Sequence, residues 1–174
     1  YKNLIIQSNL IGKYNYNNIA AAITIGEYFK VETSLIKEAI EKYIPTNNRS
    51  QIIEKNTNKI ILDAYNANPT SVKAALENFH LLNEGNKIVI LGDMFELGKD
   101  SKTEHQSISN LCDSLNFKSV YLVGENFHNV SSKNKTFSSF NDLKNHLIIQ
   151  EINNSVILIK GSRGMALERL VELF

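Results

Sequence analysis

The sequence contains no tryptophan, only two prolines and a single cysteine in 174 residues. A lone thiol, Cys112, excludes an internal disulfide framework and is typical of proteins from a reducing compartment, so we expect a cytoplasmic location. The chain also lacks an excess of charge of either sign, with 19 basic and 18 acidic side chains and a formal net charge of +1. This balance gives no electrostatic reason to expect binding to nucleic acid or to an anionic membrane.

Long hydrophobic runs are absent as well. Runs such as "SVILI" are far too short to span a bilayer. No charged-then-apolar leader opens the chain, so nothing marks it for export. The first residues are "YKNLIIQSNL", without a methionine, and we expect the chain to be a piece of something longer. Hydrophobic residues make up 43% of it, which is enough to fill a core and excludes a disordered chain.

The residues before Pro45 have a helical pattern. The stretch "NNIAAAITIGEYF" is rich in alanine and isoleucine, and "TSLIKEAIEKYI" repeats apolar residues at helical spacing. We expect Thr33 or Ser34 to cap the second helix and Pro45 to stop it. "PTNN" has the composition of a linker, which divides the chain into residues 1–45 and 46–174.

From about Arg49 onward, apolar strands alternate with amphipathic helices. The predicted strands are "QIIEK", "KIILDA", "KIVILGD", "SVYLVG", "KTFS" and "SVILIKG". The predicted helices are "PTSVKAALENFHLL", "KTEHQSISNLCDSL", "ENFHNVS", "FNDLKNHLII" and "MALERLVELF". Ser101 and Glu104 have the spacing of a capping box for the second of these helices. The alternation predicts an α/β fold, Rossmann-like and doubly wound, with a mostly parallel sheet.

Polar and glycine residues follow the predicted strands, at the edge where ligands bind in such sheets. The strand ends carry Asp63, residues 92–93, residues 124–125 and residues 160–164. In "DAYNANP", Asn68 can cap the next helix, with Pro69 at the first helical position. That explanation leaves Asp63 without a role, and the pattern supports a ligand site and a turn equally well.

The run "IKGSRGM" has the composition of an anion site. Gly161 and Gly164 bracket Ser162 and Arg163 before a predicted helix, so backbone N–H groups converge with Lys160 on a phosphate or carboxylate. The phosphate-loop pattern G-x-x-x-x-G-K-[ST] and the dinucleotide pattern G-x-G-x-x-G do not occur in the chain. By spacing alone, "LGDMFELG" is a strand-to-helix loop with solvated acids.

The four histidines do not predict a metal site. His80, His128 and His146 have no metal-like spacing to one another or to Cys112, so we expect no metal ligands in this chain. His105 lies near the start of a predicted helix, where we expect a surface residue. No Gly-x-Ser-x-Gly elbow supports a serine hydrolase.

Taken together, these motifs resemble one family. "DAYNANPTSVKAAL", "ILGDMFELG" with His105 following, and "ILIKGSRGMALERLV" are similar to the C-terminal domain of the MurF-type Mur ligases. "LIGKYNYNNIAAAI" resembles the family's Gly-x-His-Asn-x-x-Asn element near the end of the central ATPase domain. The resemblance runs from end to end in the same order. It implies that residues 1–45 end the central domain and that residues 46–174 form the C-terminal domain.

The resemblance implies an ATP-dependent ligase of cytoplasmic peptidoglycan synthesis, and hence of cell-wall biogenesis. In this family the carboxylate of UDP-N-acetylmuramoyl-tripeptide is phosphorylated to an acyl phosphate. The amine of D-alanyl-D-alanine then displaces the phosphate, and Mg²⁺ offsets the negative charge. The phosphate-binding loop, the magnesium ligands and the uridine-binding domain would lie before Tyr1. This chain would then supply a domain that closes over nucleotide and substrate, and would be inactive without the N-terminal and central domains.

Site residues follow from the resemblance by position. It implies contacts to ATP by Asn15, Asn18, Arg49, Asp63 and Asn66. It implies contacts to the peptide substrate by Asn68, Asp93, Glu96, Lys160, Ser162 and Arg163. The family's histidine is Tyr14 here, so a role that needs an imidazole is not carried over. We also expect Asp63→Ala to raise the KM for ATP with little loss of stability, on the premise that Asp63 ends an exposed strand.

Two functions of other classes remain open at this point. One is a Rossmann-type nucleotide-binding module or oxidoreductase domain, which the missing G-x-G-x-x-G pattern disfavours. The other is a noncatalytic scaffold domain, which leaves the polar strand ends unexplained. Titrations with ATP-Mg and with NAD(H) distinguish them.

Overall fold

The computed structural model describes residues 1–12 and 15–174, so Tyr14 lies outside the described residues. The chain divides into two compact units, Tyr1–Thr46 and Asn47–Phe174. Within the described ranges, no helix combines the length and the apolar character needed to cross a membrane.

The first unit contains two helices, α1 (Tyr16–Tyr28) and α2 (Thr33–Lys42). They meet at Gly26, where a Cβ atom would lie 2.9 Å from the Ile36 side chain. Glu32, and neither Thr33 nor Ser34, occupies the N-cap position of α2. The predicted cap is therefore wrong, since both residues already lie within the helix.

The second unit is built on one sheet of six strands. These are β1 (Gln51–Lys55), β2 (Asn58–Asp63), β3 (Asn86–Gly92), β4 (Ser119–Val123), β5 (Lys135–Phe137) and β6 (Ser155–Lys160). Their order across the sheet is β1-β2-β6-β3-β4-β5. Only β1 and β2 pair antiparallel, through a two-residue turn in which Asn56 has a φ of 53°. The other pairs are parallel, so the predicted mostly parallel α/β sheet is confirmed.

The strands of this sheet are apolar at successive positions, which is typical of a sheet whose two faces are both covered by other elements. Ile60, Ile90 and Ile157 belong to one core cluster, which also includes Leu143 and several residues of the C-terminal segment. Their strand neighbours Ile61 and Val89 point to the opposite face and are buried too. The sheet is therefore doubly wound, as the sequence predicted.

Four α-helices connect the strands: α3 (Pro69–Leu81), α4 (Ser101–Ser114), α5 (Glu125–His128) and α6 (Phe140–Ile148). The start of α3 is as predicted. Asn68 is its N-cap and accepts a hydrogen bond from the Ser71 N–H at 2.8 Å, and Pro69 is its first residue. The predicted capping box of α4 is wrong, because Asp100 occupies the N-cap position. The Ser101 hydroxyl instead contacts Asn126 and His105.

The predicted final helix is not an α-helix. It consists of two 3-10 segments, Arg163–Met165 and Leu167–Leu173. Ala166 separates them with a φ of 48°, in the left-handed region, which interrupts any continuous helix. This bend lets Leu167, which is fully buried, pack on the ends of β3 and β6.

Candidate functional site

The carboxyl ends of β2, β6, β3 and β4 lie side by side because these strands are parallel neighbours. The register places Asp63 beside Lys160 and Gly92 beside Val123. The residues that follow these strands therefore meet at one edge of the sheet, where ligands bind in doubly wound folds.

Asp63 and Lys160 form an ion pair at this edge. The Lys160 Nζ atom lies 2.6 Å from Asp63 Oδ2 and also donates to the Asn66 carbonyl at 3.1 Å. The Ser50 N–H donates to the other Asp63 oxygen at 3.1 Å. The Lys160 side chain is 2% exposed and that of Asp63 is 15% exposed. The premise that Asp63 ends an exposed strand is therefore wrong, and Lys160 points into the protein.

Arg49 and Arg163 converge on the ring of Tyr65. The guanidinium carbon of Arg49 lies 3.8 Å from the ring centroid and that of Arg163 lies 5.4 Å from it. All three residues are exposed, and we call them the Tyr65 cluster. The hydrogen bond from Arg49, followed by the charges of both arginines, lowers the pKa of the Tyr65 phenol below its usual value. Among the described residues, neither guanidinium forms an ion pair with a carboxylate.

Asp93 is placed differently from Asp63, and the prediction that the acids of "LGDMFELG" are solvated is wrong for it. It is 2% exposed, and its Oδ2 atom accepts hydrogen bonds from the Asn126 N–H and the Asn126 side-chain amide, both at 2.9 Å. Its Oδ1 atom accepts from the Phe127 N–H at 2.9 Å. Asp93 thus caps the start of α5 from a neighbouring strand. Gly124 makes room for it, since a Cβ atom there would lie 2.3 Å from the Asp93 carboxyl carbon.

His105 belongs to the same buried network, and its prediction as a surface residue is wrong. It is fully buried, with Nε2 3.7 Å from Asp93 Oδ1. The Met94 N–H donates to Nε2 at 3.0 Å, so the ring proton lies on Nδ1, 2.7 Å from the Ser101 carbonyl. The spacing of His105, Ile108 and Cys112 on one helical face predicts this burial, a signal that the sequence analysis did not use.

The loops after β3 and β6 pack directly on each other. The Phe95 N–H donates to the Ser162 hydroxyl at 2.9 Å, and the Ser162 N–H donates to the Asp93 carbonyl at 3.2 Å. A Cβ atom at Gly161 would lie 3.2 Å from the Gly92 Cα atom, and one at Gly164 would lie 2.8 Å from the Phe95 ring. Gly161 therefore allows the two backbones to approach closely, whereas the neighbour of Gly164 is an exposed side chain.

The predicted site residues of the second unit fall into two groups. Five are exposed: Arg49, Asn66, Asn68, Glu96 and Arg163. Asp63, Asp93, Lys160 and Ser162 are engaged in the contacts described above. Sequence reasoning missed Tyr65, although it lies within "DAYNANP".

In the first unit, the two predicted residues contact each other. The Asn18 amide donates to the Asn15 side-chain oxygen at 2.9 Å, and the Asn15 amide donates to the Ile11 carbonyl at 2.7 Å. Asn15 is 6% exposed, whereas Asn18 is exposed. Asn18 therefore has the accessible side chain of the pair.

The second unit offers groups that suit a nucleotide but no ready cation site. The unpaired guanidinium groups suit phosphate. A carboxylate has about four acceptor positions, so Asp63 keeps capacity for a ribose hydroxyl besides its bonds to Lys160 and Ser50. Across residues 1–12 and 15–174, no three His, Cys, Asp or Glu side chains group together so as to hold a metal ion.

Comparison with known proteins identifies relatives of nearly the whole chain. The family model described as Mur ligase, glutamate ligase domain, matches residues 48–163. The UDP-N-acetylmuramoyl-tripeptide–D-alanyl-D-alanine ligase of Buchnera aphidicola subsp. Baizongia pistaciae is 33% identical over 171 residues, covering 94% of this chain and 36% of the relative. The Bacillus subtilis protein of the same name is 32% identical, covering 94% of this chain and 38% of the relative. The chain thus spans less than two fifths of the length of these relatives.

Solved structures of MurF ligases are likewise similar to nearly the whole chain. A crystal structure of MurF from Acinetobacter baumannii has a TM-score of 0.85 at 28% identity, covering 96% of this chain and 39% of that one. MurF ligase from Thermotoga maritima in complex with ADP has a TM-score of 0.79 at 24% identity, covering 95% and 38%. At that lower identity, the second likeness concerns the fold alone.

Proposed function

This chain belongs to the Mur ligase family, and we propose that it is part of an ATP-dependent ligase that joins D-alanyl-D-alanine to UDP-N-acetylmuramoyl-tripeptide. One observation carries the proposal: nearly the whole chain is similar to proteins that bear this name, at up to 33% identity. In this proposal residues 46–174 are the C-terminal domain and residues 1–45 end the central ATPase domain. The reaction belongs to peptidoglycan synthesis in the cytoplasm.

On the nucleotide side, we assign Arg49, Asp63 and Asn66 to ATP. The guanidinium of Arg49 has no carboxylate partner among the described residues, and in this proposal it binds phosphate oxygens. Asp63 accepts ribose hydroxyls, and its bonds to Lys160 and Ser50 hold it in position. In the other unit, we assign Asn15 and Asn18 to the adenine.

On the peptide side, we assign the exposed residues Asn68, Glu96 and Arg163 to direct contacts. The buried residues Asp93, Lys160 and Ser162 act through their neighbours. Lys160 holds Asp63 and the Asn66 carbonyl, and Ser162 joins the loop of Arg163 to that of Glu96. Asp93 anchors the second of these loops on α5. Their substitution would therefore change binding by moving the exposed residues.

The chemistry proposed for the whole protein is activation of a carboxylate by ATP, followed by attack of the D-alanyl-D-alanine amine. The role of this chain is electrostatic and positional, because guanidinium groups stabilise charge on phosphoryl oxygens. Mg²⁺, when bound, neutralises the phosphates. We propose that the residues holding it, and the principal catalytic groups, lie in other parts of the longer protein.

The test is a ligase assay on a full-length protein that contains this chain. The mixture contains ATP, Mg²⁺, the UDP-linked tripeptide and D-alanyl-D-alanine, and the readouts are phosphate release and product mass. We expect turnover that needs every component, and none from the 174-residue chain alone. Turnover by the chain alone would place the catalytic centre within it and contradict the domain assignment.

Nucleotide titrations of the full-length protein decide between the remaining functions. Binding of ATP-Mg without binding of NAD(H) is the expected result. Binding of NAD(H) alone would favour an oxidoreductase domain, and binding of neither nucleotide would favour a scaffold.

A further inference from the structure

The arginines of this chain are few and unusually placed. Of 19 basic residues only three are arginines, Arg49, Arg163 and Arg169. Each has its guanidinium over an aromatic ring. Arg169 lies 3.8 Å from the centroid of the Phe140 ring, whereas Arg49 and Arg163 share Tyr65. Two cations on one exposed ring require an explanation, since like charges repel.

The backbone around the Tyr65 cluster is tied together at several points. The Tyr65 N–H donates to the Asn48 carbonyl at 3.2 Å, next to Arg49. The Ser50 N–H binds Asp63, and Asp63 pairs with Lys160, three residues before Arg163. Three separate segments of the chain are thus held at one place by partly buried hydrogen bonds and one ion pair. The convergence of the two arginines therefore follows from the fold.

The distances limit how far apart the two charges are. Both guanidinium carbons lie close to one ring centroid, at 3.8 Å and 5.4 Å, so their separation cannot exceed the sum of these distances. Neither group has a carboxylate partner among the described residues. A pair of nearby, exposed and uncompensated guanidinium groups suits a ligand with several negative oxygens, above all a phosphoryl group.

We propose that Tyr65 is a positioning residue that holds Arg49 and Arg163 as one clamp, in which both guanidinium groups bind the same phosphoryl group. The ring face attracts both cations and reduces their freedom before the ligand arrives. Its role in the ligase rests on the function proposed above. There the clamp links Arg49, assigned to ATP, with Arg163, assigned to the peptide substrate. Its ligand class is a polyphosphate or a phosphorylated carboxylate.

The hydrogen bond from Arg49, followed by the charges of both arginines, lowers the pKa of the Tyr65 phenol, in agreement with this arrangement. Tyr65→Leu removes the ring and the hydroxyl together. Tyr65→Phe keeps the ring face and removes only the hydroxyl. The two variants therefore separate the contribution of the ring from that of the phenol oxygen.

The direct test uses the 174-residue chain and tripolyphosphate as the probe. The three arginines give three Nε–H signals in a nitrogen-edited NMR spectrum, each assigned by its Arg→Lys variant. We expect the signals of Arg49 and Arg163 to shift with one common midpoint, while that of Arg169 stays in place. Different midpoints for the first two, or equal shifts of all three, would overturn the proposal in favour of separate or nonspecific anion binding.

Variants at the ring complete the test. We expect Tyr65→Leu to weaken tripolyphosphate binding about fivefold or more, and Tyr65→Phe to stay within about twofold of wild type. Phe140→Leu is the matched control, because it removes the ring under Arg169, and should leave binding unchanged. Amide spectra establish that each variant is folded. Wild-type affinity in Tyr65→Leu, or an equal loss in Tyr65→Phe, would show that the ring does not hold the clamp.

The clamp and the proposed ligase function can be refuted separately. An inactive full-length protein whose arginines still bind tripolyphosphate through Tyr65 would refute the proposed function and leave the clamp intact. An active ligase in which Tyr65→Leu has wild-type kcat and KM would refute the clamp alone.

Discussion

Asp63 ends β2 and Asp93 follows β3, two strands that β6 separates in the same sheet, and the two carboxylates have different partners. Asp63 is followed by a loop of five residues before α3, and that helix has its own cap, Asn68. Asp93 faces α5, which starts only one residue after β4, so its N–H groups point back at the carboxylate. Asp93 thus caps the helix that begins at once beside it, whereas Asp63, whose following helix has its own cap, pairs with Lys160 and Ser50 and keeps part of its surface exposed.

This comparison predicts two kinds of mutant. Changes around Asp93 should lower the free energy of unfolding, while changes in the Tyr65 cluster should affect ligand binding and leave stability intact. Asp63 lies between these extremes, because we assign it to the nucleotide and it also neutralises the buried Lys160.

The largest expected effect is that of Asp93→Ala on stability. It removes a buried carboxylate and leaves three N–H donors without their acceptor, so we expect the free energy of unfolding to fall by about 3 kcal/mol. Urea unfolding of the 174-residue chain measures it. Glu96→Ala, an exposed acid in the same loop, is the control and should change stability by less than about 0.5 kcal/mol. Equal effects of the two variants would contradict the division between caps and site residues.

The next effect is that of Asp63→Ala, which we now expect to destabilise the chain by about 2 to 3 kcal/mol because it leaves the Lys160 charge buried without a partner. The double variant Asp63→Ala/Lys160→Met removes both charges and should recover most of that loss. Urea unfolding of the two variants gives the comparison. A double variant less stable than Asp63→Ala would show that Lys160 does not depend on Asp63.

Gly124→Ala should cost about 2 kcal/mol, because φ is 124° there and the new methyl group would meet the Asp93 carboxylate. Part of this cost is a clash with one side chain, so it should shrink in an Asp93→Ala background. A double-mutant cycle measures the coupling. Strict additivity would mean that the backbone angle alone requires glycine.

The smallest expected effect is in the Tyr65 cluster. Arg163→Lys keeps the charge but loses the forked geometry, so we expect kcat/KM of the full-length ligase to fall about tenfold, or about 1.4 kcal/mol, with unchanged stability. Arg169→Lys is the control and should have wild-type kinetics. A stability loss in Arg163→Lys that accounts for the lower activity would place this arginine with the structural residues.

Much of the fold was predictable because its signals are local. Apolar strands and amphipathic helices alternate along the chain, and every predicted strand is present. The start of α3 was also predictable, since Asn68 and Pro69 determine it by short-range sterics and one hydrogen bond. Position along the chain also showed which residues follow the strands, and so which edge of the sheet carries the polar side chains.

The roles of these side chains were less predictable, because burial depends on what packs against a residue. "SKTE" has the spacing of a capping box, but a preceding 3-10 turn, Gly98–Asp100, carries the chain into α4 and moves the cap to Asp100. The prediction of a final α-helix is also wrong. Leu167 packs against Gly92 and Gly161 because Ala166, just before it, adopts the left-handed conformation. In the first case a neighbouring turn, and in the second a tertiary contact, outweighs the local preference.

The sequence by itself therefore determined the α/β class, the strands, the α3 cap and the family, which depend on periodicity and on motifs read within a few residues. Only the tertiary structure decided that Asp93 is buried as the cap of α5 and that Arg49, Tyr65 and Arg163 meet on the surface. The physical reason is distance along the chain. Hydrogen bonds, ion pairs and ring contacts between segments far apart in sequence depend on strand order, and no local pattern specifies that order.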